Sequence, residues 1–110
     1  MSYSVWLEID TGGEEPAYVC ESINHTSNTV RMWDMGLGFR FRELKGMAGM
    51  EAIPHLERAV AYLVDENNRP ALLEMQPPNG WGTLETATEF LQELLAMCRS
   101  HPKAFIAMWH

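Results

Sequence analysis

Five consecutive polar residues, Asn24-His25-Thr26-Ser27-Asn28, carry side chains that could hold a small ligand. Asn and Thr side chains each donate and accept hydrogen bonds. A short helix is predicted directly after them, and a helix N-terminus adds free N–H groups and a positive dipole end. This combination suits a phosphate, a carboxylate or the edge of a nucleobase. The simpler interpretation is an elaborate N-cap with an Asx turn.

A second stretch of this kind spans residues 78–82 and leads into the predicted last helix. Asn79 offers a side-chain amide, and Trp81 offers a flat face for stacking on a base or ring. Gly80 and Gly82 would let the backbone approach a ligand closely. The alternative is a tight loop whose Trp81 packs into the core.

The basic residues are unevenly distributed along the chain. Half of the eight, Arg31, Arg40, Arg42 and Lys45, fall within residues 31–45, whereas residues 1–22 carry five acids and no base. A basic patch on an otherwise acidic protein can accept a small anion while repelling polyanions. We therefore expect Arg40 or Arg42 to supply positive charge to the ligand. Alternatively, both arginines form the solvated face of an edge strand, which discourages aggregation.

Familiar catalytic and metal-binding motifs are missing from the chain. No CxxC, HxH, HxxxH, GxSxG, P-loop or GxGxxG is present, and the four histidines are scattered. Because metal ligands usually recur at close spacing, neither a metal nor a cofactor is expected. His25 with Glu21 or Asp34 could form an acid–base pair, which would make the protein a small hydrolase.

Length and composition indicate one globular domain, residues 1–110, with 46% hydrophobic and 21% charged residues. The net charge of −7 opposes binding to nucleic acid or to anionic lipid. No apolar run approaches the roughly 20 residues that span a bilayer, so no membrane association is expected. The N-terminus lacks the features of a secretory signal, and Cys20 and Cys98 are expected to be free thiols. A cytoplasmic protein is therefore predicted.

Alternation over residues 3–10 predicts a half-buried strand with Tyr3, Val5, Leu7 and Ile9 on one side. A Gly-Gly turn and a returning strand over residues 17–22 would complete a hairpin. Residues 104–109 predict a last strand, with Ile106 and Met108 on the side opposite Phe105 and Trp109. We expect the first and last strands to be neighbours.

Helical spacing predicts three helices, near residues 27–36, 51–66 and 84–100. Thr26 or Ser27 would cap the first helix and Thr83 the third. Their expected buried residues are Val30, Trp33 and Leu37, then Ile53, Leu56, Val60 and Leu63, then Ala87, Phe90 or Leu91, Leu94 and Cys98. Residues 39–42 and 72–75 are predicted to be extended. The fold class is therefore α+β, a small, mainly antiparallel sheet made from the N-terminal hairpin and the C-terminal strand, packed against about three helices.

The two polar stretches together resemble a family of small uncharacterised phage and actinobacterial proteins. In that family an N-x-T-x-N segment precedes a short helix, and an N-G-W-G segment opens the last helix, which ends in H-P before a final strand. Residues 24–28, 79–82, His101-Pro102 and 104–109 fit this order. The resemblance implies a phage or actinobacterial setting, hence the host cytoplasm for a phage-encoded protein. It implies no particular activity.

The preferred hypothesis is a non-catalytic binding protein whose two polar stretches meet at one cleft. Its ligand would be small and polar or nucleotide-like, and in a phage setting the protein would sequester a host defence signal. The candidate ligand-binding residues are Asn24, His25, Thr26, Asn28, Arg40, Arg42, Asn79 and Trp81. The alternative is a protein-interaction module, a phage-type inhibitor of a host protein. Self-association through the C-terminal strand is a further expectation.

Overall fold

The first strand, β1 (Ser2–Ile9), lies in the centre of a four-stranded antiparallel sheet. The short strands β2 (Ala17–Tyr18) and β3 (Ile23–Thr26) pair with the two halves of β1 along one edge. The last strand, β4 (Phe105–Trp109), pairs with the other edge. These pairings confirm the predicted hairpin and the predicted pairing of the terminal strands. The computed structural model describes all of residues 1–110.

The sheet has one buried and one open face, as the alternation in the terminal strands predicts. Tyr3, Val5 and Leu7 of β1 are buried together with Ile106 and Met108 of β4. The intervening side chains of both strands point to the opposite face, because successive side chains of a strand alternate. No helix covers that opposite face, so aromatic side chains remain exposed there.

Four α-helices follow the N-terminal strands and cover the buried face. Their bounds are α1 (Val30–Leu37), α2 (Gly49–Val64), α3 (Arg69–Glu74) and α4 (Leu84–Ser100). Helix α2 packs against both α1 and α4. None of these helices has both the length and the apolar content that crossing a bilayer requires. The architecture is α+β, as predicted, with one short helix more than expected.

Trp33 of α1 occupies the middle of the hydrophobic core. Its side chain is fully buried, and its ring lies 4.6 Å from Phe41 and 4.9 Å from Phe90, centroid to centroid. The indole N–H donates a hydrogen bond to the carbonyl oxygen of Ala87 in α4, at 3.1 Å. This one side chain therefore joins α1 to α4 by packing and by a hydrogen bond.

The buried side of α2 differs in part from the predicted stripe. Leu56 and Leu63 are buried as expected, but Ile53 and Val60 are only half-buried. Ala59 is fully buried and faces α1, where a Cβ on Gly36 would lie 3.0 Å from the Ala59 carbonyl oxygen. Because the two helices approach so closely, small residues form their contact. Val60 instead borders an opening between α2 and α4.

Residues 39–42 do not form the predicted extended segment. Phe41–Leu44 is a 3₁₀ helix, and Phe41 and Leu44 are both fully buried. Their three-residue spacing places them on one side of such a helix. The Asp34 carboxylate accepts a hydrogen bond from the Phe41 N–H at 2.7 Å and fixes the start of the turn. The alternative interpretation of Arg40 and Arg42 as an edge-strand face is therefore wrong.

Two further segments differ from the sequence prediction. Residues 72–75 belong largely to α3, whose Pro70 lies in the first turn, where proline is tolerated. The predicted returning strand over residues 17–22 stops at Tyr18, and pairing with β1 resumes only at Ile23. As a result, the first polar stretch begins within β3.

The two cysteines are free thiols in different surroundings. Cys98 of α4 is fully buried, whereas Cys20 is half-buried. Burial, with a smaller effect of nearby Cys20, raises the pKa of the Cys98 thiol to about 11. At pH 8 only about one such thiol in a thousand is ionised. Because the thiolate is the reactive form, Cys98 should be inert in the folded protein.

We expect an aromatic disulfide reagent to titrate one thiol of the native protein rapidly and the second only on unfolding. The Cys20→Ser variant should show no rapid reaction, because its remaining thiol is Cys98. Absorbance of the released thiolate at pH 8, with and without denaturant, measures both. Rapid labelling of native Cys20→Ser would contradict the burial of Cys98.

Candidate functional site

The two polar stretches meet in the folded protein, and their contact lies at Gly82. A Cβ added to Gly82 would be 2.6 Å from Cγ2 of Thr26 and 2.8 Å from Cγ2 of Thr29. Gly82 also has a φ of +97°, which side chains other than glycine adopt with strain. The glycine therefore permits both the turn before α4 and the close approach of the segment around Thr26.

His25 connects the same two segments by hydrogen bonds. Its Nδ1 lies 3.0 Å from the carbonyl oxygen of Thr26, and its Nε2 lies 2.9 Å from the hydroxyl oxygen of Thr86 in α4. The Thr29 hydroxyl oxygen also lies 3.2 Å from Nδ1, so both ring nitrogens of His25 contact threonine groups. The imidazole also lies against the rings of Trp33 and Phe90.

The chain's own groups occupy the helix N-terminus that was expected to face a ligand. The Thr83 hydroxyl accepts a hydrogen bond from the Thr86 N–H at 3.1 Å, and Gln76 Oε1 accepts one from the Leu84 N–H at 3.0 Å. Thr83 is the N-cap of α4, as predicted.

The four cavities of the protein are lined by residues outside 24–28 and 78–82.

The asparagines of the polar stretches do not face one another. Asn24 lies on the open face of the sheet, where its amide donates a hydrogen bond to the Ser4 hydroxyl at 2.8 Å. Asn28 is exposed at the turn before α1, and its N–H is bound by the Thr26 hydroxyl. Asn79 Oδ1 accepts a hydrogen bond from the Trp81 N–H at 2.9 Å, in an Asx turn.

Trp81 is exposed over 70% of its surface, so the alternative in which it packs into the core is wrong. Glu21 and Asp34, the acid–base partners considered for His25, make no hydrogen bond to it. Its hydrogen-bond partners are threonine groups, and the Asp34 carboxylate binds the Phe41 N–H instead. The geometry of His25 is that of a residue positioning β3 against α4.

Arg40 and Arg42 line two different cavities. Arg40 borders an opening of about 450 Å³ together with Arg31, Met35 and Met75. Arg42 borders a separate opening of about 410 Å³, which we call the basic cavity. Its lining residues are Tyr3, Arg42, Lys45, Met108, Trp109 and His110.

All residues that line the basic cavity except Met108 carry a side-chain hydrogen-bond donor, and none has a carboxylate side chain. Arg42 and Lys45 contribute positive charge, and the His110 ring stacks on Tyr3 with centroids 4.2 Å apart. Tyr3 is 6% exposed, and its hydroxyl reaches solvent without a hydrogen-bond partner in the chain. The Trp109 side chain, 74% exposed, offers a flat ring beside the cations.

The cations of residues 31–45 are free of ion pairs. The protein has two salt bridges, and both use other basic residues: Arg69 with Glu85, and Arg99 with Glu57, each at 2.9 Å. The hydrogen bond from Arg69 lowers the pKa of the Glu85 carboxyl below its usual range. Arg42 and Lys45 are therefore available to bind an anion that the protein does not itself supply.

The open face of the sheet forms a second exposed surface, which we call the aromatic face. Its members are Trp6, Tyr18, Phe105 and Trp109. The Trp6 and Tyr18 rings lie 5.3 Å apart, and Tyr18 is 64% and Phe105 48% exposed.

No group of three or more His, Cys, Asp or Glu residues is arranged to hold a metal ion.

Arg42 and its neighbour Lys45 were predictable from the cluster of bases in residues 31–45, whereas the other residues of the basic cavity were not predicted. The available signal was the pairing of the terminal strands, which brings Trp109 opposite Ser4 and next to Tyr3. No family model, curated protein or solved structure matches this chain. The resemblance to phage and actinobacterial proteins thus stays a prediction.

Proposed function

We propose that this protein is a non-catalytic binding protein that holds a small anionic, nucleotide-like ligand in the basic cavity. The observation that carries the proposal is the pair of cations, Arg42 and Lys45, that lack carboxylate partners although acids outnumber bases 15 to 8. In such a protein an unpaired arginine and lysine bordering one cavity favour an external anion.

The lining groups fit a phosphate and a ring at the same time. Arginine and lysine donate charge-assisted hydrogen bonds to phosphate oxygens, and arginine does so with a planar fork. The free hydroxyl of Tyr3 adds a neutral donor, while Trp109 can stack on a base. The volume of about 410 Å³ lies within the range of small-molecule sites, roughly 300–1,000 Å³.

The charge of the whole molecule favours small anions over polymeric ones. A net charge of −7 repels a long polyanion, whose phosphates extend beyond the basic cavity. A mononucleotide presents its charge only within that cavity. Binding without turnover would suit sequestration of a host signal in the phage setting that the motifs predict.

Titration of the protein with adenosine monophosphate tests the proposal. We expect saturable binding by calorimetry and by NMR shifts of the Trp109 indole, with weaker binding of adenosine and of ribose 5-phosphate. Arg42→Gln should weaken binding about tenfold, because a hydrogen bond to a charged group contributes roughly 1.5–3 kcal/mol. The nucleotide should be recovered unchanged.

Lys103→Gln is the matched control, since it removes one exposed positive charge outside the basic cavity. It should leave the affinity for adenosine monophosphate within about twofold of the unmodified protein. An equal loss of affinity in Arg42→Gln and Lys103→Gln would mean that binding depends only on the overall charge of the protein. Absence of any saturable shift with adenosine monophosphate would refute the proposal.

A protein-interaction module is the second candidate function, and the aromatic face is the observation that favours it. Exposed aromatic area is typical of protein interfaces. Variants of Arg42 would then leave the interaction largely intact, because apolar contact rather than an anion site would supply most of the binding free energy.

A further inference from the structure

We infer that the opening beside Arg40, which we call the methionine cavity, binds a small amphipathic carboxylate such as a medium-chain fatty acid. The cavity has a volume of about 450 Å³. Its lining residues are Arg31, Asp34 and Met35 of α1, residues 38–40 after that helix, and Met75 directly after α3. None of them lines the basic cavity, so the inference does not depend on a nucleotide.

Three of the seven residues that line the methionine cavity are large and apolar: Met35, Phe39 and Met75. Met35 is 48% exposed, and the other two are half-buried. The Phe39 ring packs at right angles to the His55 ring of α2, with centroids 5.1 Å apart, and this contact holds it in place. Because methionine side chains are unbranched and polarizable, they can adapt their shape to an alkyl chain.

Two exposed arginines, Arg31 and Arg40, bring positive charge to the same cavity. Neither belongs to an ion pair, because both salt bridges of the protein use other arginines. Asp34 is the one acidic residue of the lining, and its carboxylate accepts a hydrogen bond from the Phe41 N–H. The lining is therefore positive overall, in a protein whose net charge is −7. An arginine guanidinium can bind a carboxylate through two parallel hydrogen bonds.

The C-terminal end of α1 also borders the cavity, and the negative end of a helix dipole opposes an anion. Arg58 of α2 offsets this effect, since its guanidinium donates a hydrogen bond to the carbonyl oxygen of Leu37, the last residue of α1. The same group lies 3.9 Å from the position of a Cβ added to Gly38, which lines the cavity. Arg58 thus places a third positive charge close to the cavity.

The extent of the apolar area favours a small ligand over a protein partner. A stable protein interface buries about 800 Å² on each partner. Met35 is the only large hydrophobic side chain of α1 that is exposed, and the other exposed residues of the lining are Arg31, Gly38 and Arg40. The volume of about 450 Å³ instead lies within the range of small-molecule sites, roughly 300–1,000 Å³. An alkyl chain with one carboxylate matches both the apolar and the cationic side chains.

Titration of the full chain with octanoate tests the inference, followed by NMR of isotope-labelled methionine methyl groups. The signals of Met35 and Met75, assigned with Met35→Leu and Met75→Leu, should shift saturably. The signal of Met50, which is 54% exposed outside the cavity, should not shift. Butanoate should bind at least about tenfold more weakly, because its shorter chain buries fewer methylene groups.

The role of the arginines is tested with octanol, which has the same chain without the charge. Arg31→Gln and Arg40→Gln should each weaken octanoate binding about tenfold and change octanol binding less than about twofold. Lys103→Gln, which removes an exposed charge elsewhere, should leave octanoate binding within about twofold. Met35→Ser should weaken both ligands, whereas Met50→Ser, the matched change at an exposed methionine, should weaken neither. Circular dichroism verifies that each variant is folded.

Several results would overturn the inference. They are the absence of a saturable shift with octanoate, equal affinity for octanoate and octanol, or an equal loss in Arg40→Gln and Lys103→Gln. A peptide of leucine and glutamate that shifts the signals of Met35 and Met75 when octanoate does not would assign the cavity to a protein partner instead. Shifts of the same signals with protein concentration alone would assign it to a second copy.

Two variants separate this inference from the proposed function, because the two cavities share no residue. Arg40→Gln should retain the binding of adenosine monophosphate, and Arg42→Gln should retain the binding of octanoate. Octanoate binding without nucleotide binding would support the methionine cavity and refute the proposed function. Nucleotide binding without octanoate binding would support the basic cavity and overturn the inference.

Discussion

Trp33→Ala should lower the free energy of unfolding by about 3–5 kcal/mol, the cost typical of removing a large aromatic side chain from a core. The side chain is fully buried among Phe41, Phe90 and Tyr3, so its removal leaves a cavity lined by rigid rings. The substitution also leaves the Ala87 carbonyl oxygen without the indole donor. Because small domains have only about 5–15 kcal/mol of stability, the variant should be near its unfolding threshold.

Trp81→Ala is the matched control for Trp33→Ala, because it makes the same chemical change at a side chain that is 70% exposed. We expect it to change the free energy of unfolding by about 0.5 kcal/mol or less. Urea denaturation followed by circular dichroism measures both variants. A similar loss in the two would mean that Trp33 does not organise the core.

Elements with long, regular hydrophobic spacing were predictable from the sequence. Helix α4 begins after Thr83 and buries Ala87, Leu94 and Cys98, as predicted. Its seventeen residues repeat the apolar positions often enough to show in the sequence which side is buried. Strand β4 was predictable for the same reason, since Ile106 and Met108 alternate with exposed aromatics.

Short segments were not predictable, because tertiary partners determine their conformation. The side chains of β3 are mostly polar, so its sequence does not indicate a strand. It forms because the backbone groups along the edge of β1 need hydrogen-bond partners. The Asn24 side-chain amide is then accommodated by donating a hydrogen bond to the Ser4 hydroxyl. The turn at Phe41–Leu44 depends on the Asp34 carboxylate, seven residues before Phe41. Neither partner is visible in a local window of sequence.

The candidate site was predictable in its charge but not in its position. The cluster of bases that contains Arg42 and Lys45 is evident from composition along the chain. Its cavity, however, needs Tyr3 and Trp109, which come from opposite ends of the chain and meet through the pairing of β1 with β4. Cavities formed by such distant segments depend on the register of strands, which sequence periodicity alone does not fix.

Gly82→Ala should destabilise the protein through two separate effects. A residue other than glycine at a left-handed φ costs about 1–2 kcal/mol. The new methyl group would also enter a space already filled by the methyl groups of Thr26 and Thr29, at 2.6 and 2.8 Å. Threonine has restricted side-chain rotamers, so relief requires movement of the backbone, and such overpacking typically costs about 1–3 kcal/mol more.

Gly80→Ala separates these effects, because Gly80 also has a positive φ, +76°, but a Cβ there would meet no atom within 4 Å. Its loss of stability should equal the conformational cost alone, about 1–2 kcal/mol. The additional loss in Gly82→Ala, measured by urea denaturation of both variants, then reports the tight contact between the two polar stretches. Equal losses would mean that the stretches separate readily in solution. A larger loss in Gly82→Ala would show that they are packed against each other and leave no room for a ligand between them.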